Sequence, residues 1–308
     1  MKIHHTLEAP STQRPLVLAI GFFDGLHRGH REILRTLLRL RRPGFRSAVL
    51  TFRNHPSTHL RPDRVPPLLS TLEERVNLLA EAGIDELYLI PFDERIARLD
   101  ARAFCTDIVA GVLAASALTI GENFRFGSQR SGDATLARET LEPLGVRVVA
   151  VPPVLDSEDR ISSTRIRAAI LRGDMETANR LLGESYVVRG TIAIGEGRGH
   201  DLGFPTANLT VPREKTLPAD GVYAAVGRYD GRDYRGLVSI GSNPTFDGRT
   251  RTVEAWLLDF GGTAYGEELA LRDFRFIREQ RKFDEIEGLL EQMREDATHV
   301  RFPSFLPA

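Results

Sequence analysis

Five short, almost uninterrupted apolar runs in the first half of the chain constrain the fold more than any other feature. They lie at Pro15–Ile20, Ser47–Thr51, Glu86–Ile90, Ala117–Ile120 and Arg147–Val151. Strands that are apolar on both faces are typical of parallel sheets covered by helices. Helical patterns separate these runs, and alternating strands and helices predict an α/β doubly wound parallel-sheet, Rossmann-like domain.

The helical patterns between the strands carry their own signals. The helix expected after Gly29 has an apolar face made by Ile33, Leu34, Leu37 and Leu38. A later helix has its apolar face at Leu72, Val76 and Leu79. Ser70 and Glu73 have the spacing of a capping box at its start, and Gly83 is expected to end it.

The second half changes character near residue 184. Its β-rich runs, separated by Gly, Pro, Asn and Asp, lie at Tyr186–Ile194, Gly221–Tyr229, Tyr234–Ile240, Thr252–Asp259 and Glu267–Phe274. This spacing predicts a small antiparallel barrel or sandwich. A final helix is predicted from the apolar stripe of Ile286, Leu289, Leu290 and Met293. The boundary is expected after a helical stretch, Thr164–Leu182, that Gly183 ends, which gives domains at 1–183 and 184–308.

Composition excludes several classes of protein. The 308 residues carry 41 basic and 42 acidic side chains, so a basic footprint for nucleic acid is absent. The one cysteine, Cys105, allows neither an internal disulfide nor a cysteine-based zinc site, and its apolar neighbours predict a buried side chain. No signal peptide and no apolar run of about 20 residues is visible. We therefore expect a cytoplasmic protein that binds neither nucleic acid nor a membrane.

The segment GFFDGLHRGH at 21–30 follows the first predicted strand and opens a helix, where parallel sheets bind phosphates. His27 and His30 lie three residues apart, so both imidazoles can donate hydrogen bonds to a phosphoryl oxygen that gains charge during transfer. A metal site is the alternative. No third ligand has an obvious spacing, and Gly21 and Gly25, which let the backbone approach a ligand, favour phosphate.

A second polar cluster, ISSTRIR at 161–167, also follows a predicted strand and opens a helix. Three hydroxyls and two guanidinium groups are offered by Ser162, Ser163, Thr164, Arg165 and Arg167. Together with free helix-start amides they suit the outer phosphates of ATP. An ordinary N-cap made by Ser162 or Ser163 is the alternative, and the cluster alone does not decide between the two.

The second half contains a glycine-rich segment, GEGRGHDLGFPTAN at 195–208, that is neither a Walker A loop nor a dinucleotide fingerprint. In an extended chain Thr206 and Asn208 point to the same side, and their oxygens are hard ligands suited to Mg²⁺ or Mn²⁺. A polar hairpin is the alternative. Glu254 stands within an apolar strand pattern, where it is either solvent-facing or functional.

These motifs resemble a known family over nearly the whole chain. GFFDG at 21–25, FRNHP at 52–56, GENFRFG at 121–127 and ISSTRIR at 161–167 are similar to the FMN adenylyltransferase module, of the HxGH nucleotidyltransferase superfamily, in bacterial bifunctional riboflavin kinase/FAD synthetase. GRGHDLGFPTANL at 197–209 resembles the riboflavin kinase signature. The resemblance implies a nucleotidyltransferase domain at 1–183 and a riboflavin kinase-like β-barrel at 184–308.

The resemblance also implies two reactions: phosphorylation of riboflavin to FMN by the second domain, and adenylylation of FMN to FAD, with release of pyrophosphate, by the first. His27, His30 and Glu254 would be catalytic, with Glu254 the general base, and Thr206 and Asn208 would contact MgATP. ATP phosphates would be bound at Gly21, Phe23, Asp24, Gly25, Ser162, Ser163, Thr164, Arg165, Arg167, Gly195, Gly197, Arg198, Gly203 and Pro205. Flavin or adenine would be bound at Asn54, Asn123, Phe124, Phe126 and Arg278, the two phenylalanines being equally suited to a core.

Three positions depart from the family pattern: Asn123 for Asp, Trp256 for His and Gln280 for Glu. The departures at Asn123 and Gln280 motivate an alternative in which one module has lost its activity and serves as scaffold or regulator. A flavin-binding module without catalysis is a further alternative, which the intact histidines and Glu254 argue against. The expected ligands are riboflavin, FMN, FAD and ATP, and the expected assembly is a monomer or weak homo-oligomer.

Overall fold

The structure is a computed structural model that describes residues 1–9, 14–193, 206–242, 251–261, 264–283 and 285–301. Contacts between residues divide the chain into two compact units, Met1–Ser163 and Thr164–Ala308. Residues 164–183, which we expected at the end of the first domain, thus fall in the second unit by this division. The boundary between 183 and 184 stays a prediction.

The first unit is built on a six-stranded parallel sheet in the order β1-β4-β3-β2-β5-β6. Its strands are β1 Lys2–His4, β2 Leu16–Ile20, β3 Arg46–Phe52, β4 Glu86–Ile90, β5 Ala115–Gly121 and β6 Arg147–Val151. The five predicted strands are confirmed. The short edge strand β1 was not predicted.

Helices cover both faces of this sheet. They are α1 Arg28–Leu40, α2 Ser57–Leu60, α3 Leu72–Glu81, α4 Glu94–Arg98, α5 Ala101–Ala103 and α6 Ala134–Leu141, with a π-helix at Phe104–Val112 directly after α5. A hairpin of two short strands, β7 Leu155–Asp156 and β8 Asp159–Arg160, precedes the ISSTRIR segment. Separate apolar clusters fill the two faces. Cys105 is buried in one of them, where burial raises the pKa of its thiol to about 11.

The capping box of α3 lies one residue later than the sequence suggested. Thr71 and Glu74, rather than Ser70 and Glu73, exchange the two hydrogen bonds that cap the helix. Ser70 instead bonds to the loop after β2, because its hydroxyl accepts from the Gly25 amide at 3.0 Å. Because Ser70 is engaged with this tertiary partner, the adjacent Thr71 caps the helix instead.

The second unit contains helices and a closed six-stranded antiparallel barrel in the order β10-β13-β12-β11-β14-β9. Its strands are β9 Val188–Ala193, β10 Thr206–Thr210, β11 Gly221–Tyr229, β12 Arg232–Ser242, β13 Arg251–Leu257 and β14 Glu268–Arg278. The barrel is confirmed over the sandwich, and so is the last helix, α9 Ile286–Arg301.

The helical stretch predicted at 164–182 is two helices, α7 Ser163–Leu171 and α8 Met175–Leu182. Gly173, with φ of +77°, makes the turn between them, and Gly183, with φ of +86°, ends α8 as predicted. At the far end of the chain, α9 packs Ala297 and Val300 against an apolar patch on the outside of the barrel. This helix packs against the same strand face that carries the candidate site of the second unit.

Candidate functional sites

The strand order of the first unit marks a place for a ligand. The strand that follows β2 in the sequence, β3, lies on one side of it, while β5 lies on the other. Open α/β sheets bind ligands beyond the carboxyl ends of the strands where the order reverses in this way. The two segments that leave these ends are GFFDGLHRGH, after β2, and ENFRFG, after β5.

The two histidines form a compact pair at the start of α1. His27 is the N-cap of the helix, and its Nδ1 accepts a hydrogen bond from the backbone amide of His30 at 3.3 Å. Their rings stack with centroids 3.6 Å apart, and the Phe23 ring meets the His30 ring edge-on at 5.3 Å. The prediction that the imidazoles share one face of the helix start is consistent with this arrangement.

Burial holds both imidazoles neutral. It lowers the pKa of His27 to about 4, and burial together with the neighbouring His27 lowers the pKa of His30 well below its usual value. Because Nδ1 of His27 accepts a bond, its proton resides on Nε2, which is then a donor for a ligand. Nδ1 of His30 is buried and bonds to nothing among the described residues. Neutral N–H groups suit hydrogen bonds to phosphoryl oxygens.

The space beside the histidines is tight at Gly29. A Cβ at Gly29 would stand 3.2 Å from two atoms of the His27 ring and 3.8 Å from the carbonyl oxygen of Ile161. The loop before them is also unusual, because Phe23 and Gly25 have φ of +56° and +74°. The sequence therefore places glycine where a larger side chain would displace the imidazole.

Asp24 binds the segment that precedes α3. Its Oδ1 accepts hydrogen bonds from the backbone amides of Leu69 at 2.9 Å and Ser70 at 3.0 Å. Its carbonyl oxygen accepts a bond from the Ser163 hydroxyl at 3.1 Å. The ISSTRIR segment thus touches the loop that carries the histidines, as the phosphate-site hypothesis requires.

The other residues of this cluster differ in exposure. Ser162 is half-buried, Thr164 is exposed, and on α7 Arg165 is half-buried while Arg167 is buried. Their binding of ATP stays a prediction.

The predicted flavin contacts of the first unit fall into different environments. The amide of Asn54 is engaged with the backbone of Phe92, accepting at 2.9 Å and donating at 3.0 Å, so it ties together the segments after β3 and β4. Asn123 is exposed. Phe126 packs in the core, 5.6 Å from the Phe104 ring, whereas Phe124 is only partly buried. Phe126 fits the core alternative, while a flavin contact by Phe124, whose ring stacks on Phe126 at 5.9 Å, stays a prediction.

In the barrel, strand register brings the predicted residues of the second unit together. Asn208 on β10 pairs with Glu254 on β13, and Thr206 pairs with Trp256. Directly opposed residues of antiparallel strands point to the same face. The two hard-oxygen groups and the carboxylate therefore share one face of the barrel.

The same row continues onto β12, where Ser239 pairs with the other side of Glu254. The Gln280 amide donates a hydrogen bond to the Ser239 hydroxyl at 3.0 Å. Sequence reasoning noticed Gln280 as a departure but missed Ser239. No local pattern marks a lone serine in a strand, and only the register reveals its neighbours.

The Arg278 guanidinium pairs with Asp296 of α9 at 2.7–3.0 Å, so it fastens the last helix to the barrel, and its contact with a flavin stays a prediction. Several predicted phosphate-binding residues of the glycine-rich segment lie outside the described residues: Gly195, Gly197, Arg198, Gly203 and Pro205.

Thr206 and Asn208 suit a magnesium ion that takes only two ligands from the protein. Across the described ranges, no group of three His, Cys, Asp or Glu side chains is arranged to hold a metal. A hydroxyl and an amide oxygen on neighbouring same-face positions provide two neutral hard ligands. Mg²⁺ commonly keeps waters and substrate phosphates as its remaining ligands, so these residues suit a cation that arrives with ATP.

Comparisons with known proteins assign each half of the chain to a family. Residues 9–165 match the model for FAD synthetase, and residues 182–302 match the model for riboflavin kinase. A bifunctional riboflavin kinase/FMN adenylyltransferase from Listeria monocytogenes is 35% identical over 97% of this chain and 96% of its own. The protein of the same description from Escherichia coli is 33% identical over 97% of this chain and 95% of its own.

A solved structure shares the fold across the whole chain. A crystal structure described as a macrolide-efflux protein from Streptococcus pneumoniae superposes with a TM-score of 0.88 and 33% identity, covering 97% of this chain and 98% of that one. Among the helices of the described residues, none has the length and apolar character needed to cross a bilayer.

Proposed function

This chain belongs to the bifunctional riboflavin kinase/FMN adenylyltransferase family, and we propose that the histidine loop and the barrel row are its two active sites. It phosphorylates riboflavin to FMN and adenylylates FMN to FAD. The assignment of individual residues to these reactions rests on their geometry. The observation that carries it is the grouping of chemically matched side chains at one place in each unit.

In the first unit, the phosphate of FMN attacks the α-phosphorus of ATP. A new P–O bond forms, the bond to the β-phosphate oxygen breaks, and pyrophosphate leaves. The neutral imidazoles of His27 and His30 donate hydrogen bonds to phosphoryl oxygens that gain charge in the transition state. Ser162 and Ser163 bind the departing pyrophosphate.

In the second unit, the ribityl 5′-hydroxyl of riboflavin attacks the γ-phosphorus of ATP, and ADP leaves. Glu254 accepts the proton of that hydroxyl. The oxygens of Thr206 and Asn208, beside Glu254 on the same face, would hold Mg²⁺. When bound, Mg²⁺ neutralises negative charge on the phosphates.

Location and assembly complete the proposal. The near-neutral charge balance and the single buried cysteine support a cytoplasmic enzyme that does not bind nucleic acid. We expect a monomer or weak homo-oligomer, which light scattering at several protein concentrations measures.

A coupled assay tests the two activities. Purified protein is mixed with riboflavin and MgATP, and FMN and FAD are separated by chromatography. We expect FMN first and FAD later. FMN without FAD would show that one module has lost its activity, and neither product would contradict the catalytic roles altogether.

A further inference from the structure

Arg75 is a buried cation that donates hydrogen bonds to backbone carbonyls and lies over an aromatic ring. It lies on α3 and is 2% exposed. Its Nη1 donates to the carbonyl oxygen of Phe22 at 3.1 Å, and its Nη2 donates to that of Phe52 at 2.8 Å. The guanidinium carbon also lies 4.1 Å from the centroid of the Phe22 ring. One side chain thus joins the segments that leave two neighbouring strands, β2 and β3.

Burial of a guanidinium costs free energy, so the burial of Arg75 must be offset by specific interactions. Burial lowers the pKa of Arg75 to about 10, while the nearby Asp24 opposes that change. The group therefore stays charged at neutral pH and keeps its hydrogen bonds to the carbonyls of Phe22, Phe52 and Arg53. An apolar side chain of the same size would fill the space without this cost, but the Phe52 carbonyl would lose the hydrogen bond from Nη2.

The segment that Arg75 fixes is the one that shapes the histidine loop. The Phe22 carbonyl also accepts a bond from the Thr51 hydroxyl at 3.2 Å, so it is held twice. The next residue, Phe23, takes the left-handed backbone conformation and places its ring against His30. Two residues after Phe22, the Asp24 carboxylate is held by the amides that precede α3.

We propose that Arg75 is a positioning residue for adenylyl transfer: by holding the Phe22 carbonyl, it fixes the Phe23 turn and, through the Phe23 ring, the orientation of His30. The proposal rests on the catalytic role of His30 given above. Arg75 touches neither the histidines nor a substrate in this account, and its effect is carried by the loop.

Three variants of the full chain test this. Arg75→Met removes the charge and all three hydrogen bonds, and Arg75→Lys keeps the charge with fewer donors. Arg46→Met is the matched control, because Arg46 is also buried and binds the Arg14 carbonyl and Glu86, but at the amino ends of the strands. Each variant is assayed for FMN adenylylation, for riboflavin phosphorylation and for thermal stability.

Misplacement of a catalytic group by about 1 Å can lower turnover about 100-fold. We expect Arg75→Met to lower kcat for FAD formation by that order, with Arg75→Lys intermediate, and KM for ATP to change far less. Phosphorylation of riboflavin should be unaffected in all three. Arg46→Met should lower thermal stability while kcat of the folded enzyme stays within about twofold.

The proposal fails if both Arg75 variants retain the wild-type kcat, or if their losses equal that of Arg46→Met at matched stability. Should Arg75→Met not fold, Arg75→Lys decides alone, by the same comparison. His30→Ala is measured alongside. If His30→Ala still forms FAD at the normal rate, the proposed function of the loop is wrong, whatever the Arg75 variants show.

Discussion

The rings of His27 and His30 lie 17° from parallel with centroids 3.6 Å apart, in the first turn of a helix whose N-cap is His27 itself. One of the two catalytic candidates therefore also caps the helix that carries the other. This double use links the stability of the loop to the protonation of its histidines.

Stability should fall in mild acid because of these histidines. An unfolded imidazole has a pKa of 6.5, whereas folding lowers that of His27 to about 4. Between those pH values the unfolded chain binds more protons, so the free energy of unfolding decreases as the pH drops below 6.5 and is unaffected above it. His27 alone contributes up to about 3 kcal/mol. Urea unfolding at pH 7.5 and pH 5.0 measures this loss.

His27→Asn is the control for that measurement, because asparagine also caps helices and does not titrate. Its unfolding free energy should depend less on pH than that of the wild type. An NMR titration showing His27 protonated with a pKa near 6.5 would contradict the buried, neutral pair.

Gly29→Ala should lower FAD formation without lowering stability. The added Cβ would press on the His27 ring at 3.2 Å and displace it. Alanine favours the helix by about 0.5–1 kcal/mol, which offsets the crowding. We expect FMN adenylylation to fall roughly tenfold or more. Steady-state kinetics and thermal melting measure the two effects.

Gly83→Ala is the opposite control. Gly83 has φ of +81° and open space around its Cα, so alanine there should cost about 1 kcal/mol of stability and leave turnover unchanged. If Gly29→Ala instead melted earlier and kept full activity, the space beside His27 would have no catalytic importance.

Glu254→Gln should abolish riboflavin phosphorylation while supplied FMN is still converted to FAD. The change removes the proton acceptor but preserves the size of the side chain, so general-base catalysis worth about 10²–10⁴-fold is lost. Glu268→Gln, at an exposed glutamate on β14, is the matched control and should phosphorylate riboflavin normally. Normal kinase activity in Glu254→Gln would remove Glu254 from the mechanism.

Asp296→Asn should destabilise the second unit. The Arg278–Asp296 pair is nearly buried, with the two side chains 16% and 3% exposed, and removal of one charge leaves the other buried without its partner. Such a loss costs about 3–5 kcal/mol. Arg189→Gln breaks an exposed pair with Glu268 and should cost at most about 1 kcal/mol. Chemical denaturation compares them, and equal effects would contradict a structural role for the buried pair.

Much of the fold was predictable because its signals are local. The bounds of β4 and β6 agree with the predicted runs, since a strand buried on both faces shows an unbroken apolar sequence. The edge strand β1 and the strand β10 were missed, because Lys2–His4 and Thr206–Thr210 are short and largely polar. Their pairing depends on distant partners that no local pattern reveals.

The site was predictable where glycines and histidines stand close together in the sequence. The supporting contacts were not. Ser239 is found only through its register opposite Glu254, and Arg75 only through its bonds to carbonyls more than 20 residues away. Residues that position others have ordinary local surroundings, and their importance follows from tertiary packing.

The central claim, two separate active sites on one chain, is tested most directly by mixing two variants. His30→Ala with riboflavin and MgATP should accumulate FMN without FAD, and Glu254→Gln should form neither product. Because FMN made by the first variant can reach the intact adenylylation site of the second, the mixture should form FAD. A mixture that forms no FAD, or a His30→Ala protein that also fails to make FMN, would contradict two independent sites.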